Sequence, residues 1–147
     1  MPTIWNDQER AALCGRAGQL TPESTARWGS MTVTGMLAHV NDAARMASGD
    51  LPVSGRAPTF LKWPPVRYLM IYVVPMPKGA PTAPALLARG TEAAFAAEQR
   101  DFATLLDDLA RRTRLAPTHP AFGSMTHRDW GALIHKHVDH HLRQFGV

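Results

Sequence analysis

Apolar residues recur at helical spacing in four separate stretches of the chain. Residues 6 to 19, NDQERAALCGRAGQ, open with Asn6 as a cap and an acidic first turn, then carry alanine, leucine and Cys14 at that spacing. A second periodic run follows WGSMT, residues 28 to 32, and reaches about Ser48. Met36, Val40, Ala43 and Ala47 line its face, Val33 and Met46 border it, Ser30 or Thr32 supplies the cap, and Gly49-Asp50 ends it. Residues 91 to 113 form a third, with Thr91 and Glu92 at its start and a stripe of Phe95, Phe102, Leu106 and Leu109. The fourth spans Thr126 to Phe145, where Trp130, Leu133, Ile134 and Phe145 share one side and Thr126 stands three residues before Asp129, the spacing of a capping box.

The connections are less regular. Leu51 to Pro65 is rich in proline, glycine and serine and reads as a loop. Val66 to Val74, VRYLMIYVV, suits a buried strand or a short helix, and two preceding prolines together with the absence of a partner strand favour the helix. Pro75, Pro77, Pro81 and Pro84 punctuate a second loop that ends near Gly90. The FGSMT of residues 122 to 126 echoes WGSMT, because both turn into a helix whose cap is serine or threonine. The pattern predicts an all-α four-helix bundle of one domain, residues 1–147, with long middle connections and a short extra helix.

Composition narrows the function. A hydrophobic share of 45% and a charged share of 19% are those of a globular protein. The single cysteine, Cys14, leaves no internal disulfide and no cysteine-ligated zinc site, and it reads as a small core residue. No signal sequence opens the chain, and the longest apolar run, Leu69 to Val74, is too short to span a bilayer, so a cytoplasmic protein with no membrane partner is expected. The net charge of +4 invites a nucleic-acid reading. However, the densest basic run, Arg111, Arg112 and Arg114, falls at a helix C-terminus, where cations complement the dipole, and no nucleic-acid-binding motif is present. Nucleic acid is not the expected partner.

The candidate chemistry lies in the last helix. His137 and His141, one turn apart, fall in the middle of its apolar face, while Arg128, His135, Lys136, Asp139 and Arg143 fall on a face expected to be solvated. Such a pair reads either as core histidines satisfied by hydrogen bonds or as two ligands of one metal ion, and in isolation the first is commoner. His39, on the flank of the second helix's apolar stripe, is a third inward-leaning histidine. Three imidazoles from two facing helices would leave a fourth position open, the arrangement of a metal site that does chemistry. His140 is the substitute if the register is off by one. Asp42 is a candidate to orient an imidazole or a surface charge, Gln144 leans inward, His119 and His127 read as solvated, and Trp28 and Trp130 as core anchors.

On the MLAHV stretch at His39 and the HxxxHxxQ pattern of His137, His141 and Gln144, the chain resembles the DinB-like family of metalloenzymes along its whole length. The WGSMT opening, the HPAFGSMT run and the HHLRQFG ending are most similar to a small bacterial branch known as a domain of unknown function. The resemblance implies a divalent metal ion, zinc, nickel, iron or copper, on the three histidines. It also implies relatives that transfer low-molecular-weight thiols such as bacillithiol or mycothiol, or isomerise maleylpyruvate with a thiol. A small-molecule substrate and a thiol-dependent transfer to small electrophiles are therefore expected, and, from the apolar run Tyr68 to Val74 alone, a homodimer paired through that face. The alternatives are a non-catalytic, metal-stabilised binding module and a basic nucleic-acid-associated protein. A metallopeptidase is disfavoured, because Val138 stands where HExxH has its glutamate.

Overall fold

The computed structural model describes residues 1–55, 57–80, 82–87, 89 and 93–147. Four long helices, α1 (Asp7–Ala17), α2 (Val33–Ser48), α4 (Phe95–Arg111) and α5 (His127–Gln144), carry the fold, and α3 is the short helix Pro64–Tyr68. Both α1 and α2 pack against α4 and α5. The bundle thus closes as a ring in the order α1, α4, α2, α5, with Met36, Leu37, Phe102, Leu106, Trp130 and Ile134 buried inside it. Burying a side chain of that size is worth roughly 1.5–3 kcal/mol. The fold is all-α, as expected. Among the described residues its only strands are the two-residue β1 (Thr118–His119) and β2 (Gly123–Ser124), an antiparallel pair that the sequence pattern did not signal.

The helix starts follow their caps. Asn6 accepts the amides of Gln8 and Glu9, Thr32 and not Ser30 accepts that of Gly35, and Thr126 with Asp129 forms the reciprocal box. The repeated pentapeptide has a backbone explanation: Gly29 and Gly123 both take positive φ, 78° and 70°, and the threonine three residues on caps the next helix. The expected start of the third long helix at Thr91 and Glu92 lies outside the described residues, as do Pro81 and Gly90. The helix itself begins at Phe95, after an Ala94 that makes no side-chain cap bond.

The run from Val66 to Val74 is helical, with Pro64 and Pro65 in the first turn of α3 and one turn of π-helix over Leu69–Val73. The loop before it contains a 3₁₀ turn, Thr59–Lys62, and the later loop another, Pro84–Leu86.

One expectation about α5 is corrected. Of the residues assigned to its solvated face, Arg128 and Arg143 are exposed, but His135, Lys136 and Asp139 are half-buried. His135 meets Glu9 at 3.2 Å, Asp139 holds Arg16 at 2.7 Å, and Lys136 donates to the carbonyls of Met70 and Val74. The reason is packing: α1 covers one flank of α5 and the turn after α3 another.

Candidate metal centre

The contact of α2 with α5 brings His39, His137 and His141 together. Each offers a ring nitrogen, and the three atoms lie within 4.8 Å of one another. His39 Nε2 and His137 Nε2 are 2.8 Å apart, and the rings meet edge to face with centroids 4.7 to 4.8 Å apart. His39 is 3% exposed and His141 9%, while His137 is partly open. The three histidines singled out by their register are thus one cluster.

The neighbours of the cluster fix which nitrogens face inward. His39 Nδ1 lies 3.1 Å from the Leu86 carbonyl, which can only accept, so Nδ1 carries the proton and Nε2 offers its lone pair. On the other side, Gln144 Nε2 donates to the Trp28 carbonyl at 2.8 Å, which turns Oε1 toward His141 Nδ1, also at 2.8 Å. His141 Nδ1 must then donate, and its Nε2 is likewise free. Between His39 and His137 the shared hydrogen bond needs one proton, and with His39 Nε2 an acceptor, His137 Nε2 donates it.

Burial also keeps the cluster uncharged. Desolvation is the first cause in each case: it lowers His39, takes His141 down to about 4 and carries His137 well below the usual imidazole range, with repulsion from the neighbouring histidines adding to the last two. At neutral pH all three are neutral imidazoles, the form that binds metal.

The donor set fits a divalent ion. Ligands at about 2.0–2.1 Å in a tetrahedral site stand roughly 3.3 Å apart, so the observed spacing needs only small side-chain shifts. Among the described residues no fourth histidine, cysteine or carboxylate joins the group. His140, the possible substitute, sits at the rim instead, its ring 5.7 Å from that of Trp28 and 5.3 Å from that of His141. Trp28 is half-buried there under Lys78, whose Nζ lies 4.3 Å from the ring centre, and is not a core anchor. Trp130 is fully buried, as expected.

Asp42 takes neither of the roles expected of it. It is buried and bound by Arg89 and Arg45, and the group that orients His39 is the carbonyl of Leu86. His119, expected to be solvated, is half-buried against Phe122 and Trp130. Its Nδ1 accepts the amides of Ala121 and Phe122, and desolvation takes it down to about 4. His127 is exposed and stacks on Trp5. Cys14 is half-buried on α1, and desolvation pushes its thiol up, away from a reactive thiolate. The sequence signal for Gln144 was its spacing from His141; a backbone carbonyl from a loop, such as Leu86, leaves no signal.

Comparison with known families gives one match, to the family described as the DinB superfamily, over residues 6–145. No curated protein and no solved structure matches the chain.

Proposed function

The chain belongs to the DinB superfamily, and on that premise we propose that it holds one divalent metal ion through His39, His137 and His141 and transfers a low-molecular-weight thiol to small electrophiles. The observation that carries the metal reading is the pair of outward hydrogen bonds, His39 to the Leu86 carbonyl and His141 to Gln144. Both histidines are thereby held through Nδ1 with Nε2 left as the ligating nitrogen, an arrangement that characterises metal sites, and a bound ion would take the place of the proton that His137 shares with His39.

With a divalent ion bound, the site would supply Lewis acidity that holds a thiol sulfur as the thiolate. The residues of the chain do the rest. His39 and His141 are fixed in orientation, His137 closes the set, and the surrounding core keeps protons off the imidazoles. The catalytic class is favoured over the non-catalytic module because His140, the alternative ligand, meets the Trp28 ring edge to face and does not join the three grouped nitrogens.

Metal analysis of the purified protein beside a His137→Ala, His141→Ala double variant tests the ligands, and unchanged metal content in the variant would sink them. The reaction class is tested separately, by incubating metal-loaded protein with a panel of thiols and electrophiles. Metal-dependent thioether formation that His137→Ala abolishes is the expected result; no turnover with any thiol would leave a metal-binding module.

A further inference from the structure

In the segment from Phe60 to Val74 the outer side is apolar apart from Lys62, while Arg67 and Tyr72 turn their polar groups inward. Phe60, Trp63, Tyr68, Leu69, Val73 and Val74 are between 41% and 62% exposed. Through the helical part, Pro65, Tyr68, Leu69 and Val73 share one side at helical spacing. Arg67 instead donates to the Ser124 carbonyl, and the Tyr72 hydroxyl donates to the buried Asp129 at 2.6 Å. The end of the segment is sealed from within, because Lys136 Nζ donates to the carbonyls of Met70 and Val74 at 2.7 and 2.6 Å, so these groups need no water. A helix at a water-facing surface has the opposite arrangement.

The segment that carries this face has basic side chains and no acidic one, although Arg67 is taken up by Ser124 and Arg89 by Asp42 and Glu98. No aspartate or glutamate occurs between Asp50 and Glu92, while Arg56, Lys62, Arg67, Lys78 and Arg89 all fall within that stretch. Lys62 and Lys78 are exposed, and so is Arg128, whose guanidinium carbon stands 5.2 Å from the centre of the Tyr72 ring. We propose that this face docks on an anionic lipid surface, with Trp63, Tyr68, Leu69 and Val73 at headgroup depth and Lys62 and Arg128 against lipid phosphates. Exposed tryptophan and tyrosine beside aliphatic residues and cations suit the membrane–water interface. The alternative occupant is a second copy of the chain. A two-fold pairing through this face would set its cations against the same cations with no exposed carboxylate of the segment between them, which costs energy. The expectation of no membrane partner rested on the length needed to cross a bilayer. Among the described residues no helix is long and apolar enough to do so, but lying at the interface has no such requirement.

The test is co-sedimentation of the whole protein with vesicles of phosphatidylcholine alone or with a minority of phosphatidylglycerol. Binding to the anionic vesicles should weaken as salt rises, and replacing Leu69 and Val73 together by serine should lower it on the order of tenfold or more. Trp63 emission should shift to the blue on the anionic vesicles, and Trp63→Phe should remove that shift. Circular dichroism of each variant confirms that the helices remain. Absence of binding, or equal binding to neutral and anionic vesicles, overturns the proposal. So does a dimer in light scattering that the double serine variant turns into monomer, which would assign the face to a second copy.

Discussion

Gln144 and Trp28, far apart in sequence, are joined by a 2.8 Å hydrogen bond from the side-chain amide of one to the backbone carbonyl of the other. That bond orients the amide so that its oxygen receives the proton of His141, and it ties the end of α5 to the turn before α2. Gln144→Leu should therefore weaken metal binding about 10–100-fold while leaving the three imidazoles in place. Titration of metal-free protein against a competing chelator measures this, and unchanged affinity would mean that the amide only closes the helix.

Metal binding should also be visible as stability. A ligand that binds only the folded state adds about 2.7 kcal/mol at a free concentration one hundred times its Kd. The unfolding midpoint should rise with added zinc, nickel or iron. His137→Ala should abolish the rise, since His137 supplies the nitrogen 2.8 Å from His39. An equal rise in the variant would place the binding elsewhere.

The site was more legible in the sequence than its surroundings. His137 and His141 share a helix face by spacing alone, and His39 sits on an apolar stripe, so periodicity was enough to bring the three together. The groups that hold them were not legible. Leu86 acts through its carbonyl, and nothing about a leucine in a loop announces that role. Asp42 looked like a helix-surface charge because its partner Arg89 comes from another loop, 47 residues on. His119 looked solvated because β1 and β2 are too short to leave an alternating pattern, yet their turn lays its ring against Trp130. Local order follows from spacing, whereas partners brought in by a loop depend on where the loop folds back.

Arg89 illustrates the cost of such a partner. It bridges Asp42 and Glu98, whose side chains are 4% and 5% exposed, and it lies three residues after Leu86. Burial alone would raise Glu98, but hydrogen bonds from Arg89 and Asn41 outweigh it and hold the carboxyl below its ordinary range. Arg89→Met would leave both carboxylates buried, with Arg45 and Asn41 as the remaining neighbours. Because Arg89 is itself 39% exposed, the loss by urea denaturation should fall at the low end of the usual range of about 3–5 kcal/mol. A loss below about 0.5 kcal/mol would show that water reaches the pair freely.

His119 should make the fold sensitive to acid. Its ordinary value of 6.5 is lowered to about 4 by desolvation, so the unfolded chain binds its proton first as pH falls. The stability tied to this neutral ring is fully present above about pH 6.5 and is lost as pH drops toward 4, at no more than about 1.4 kcal/mol per pH unit. His119→Asn keeps an acceptor for the amides of Ala121 and Phe122 but cannot take up the proton. Its stability curve should be flatter than that of the parent across this window, and parallel curves would assign the acid sensitivity to other groups.

Three glycines should respond differently to alanine. At Gly49, φ is +85° and nothing lies within 4 Å of an added Cβ, so Gly49→Ala meets only the left-handed backbone strain, about 1 kcal/mol. At Gly29, φ is +78° and the Cβ would stand 2.9 Å from Gln144 Nε2, so the same strain comes with displacement of the amide that orients His141. Gly29→Ala should therefore weaken metal binding as well as stability, a combination absent at Gly49. Gly131 has an ordinary helical backbone, yet a Cβ there would overlap the Trp5 indole nitrogen and the Thr3 hydroxyl. The indole cannot swing away without losing its bond to the His127 carbonyl and its stacking on the His127 ring. The backbone is close too, because the Ile4 amide donates to the Gly131 carbonyl at 3.2 Å. Gly131→Ala should then cost about 1–3 kcal/mol through overpacking where the N-terminal segment crosses α5, with metal affinity unchanged. Equal losses at Gly131 and Gly49 in urea denaturation would show that the N-terminal segment detaches freely and that the crossing contributes little to the fold.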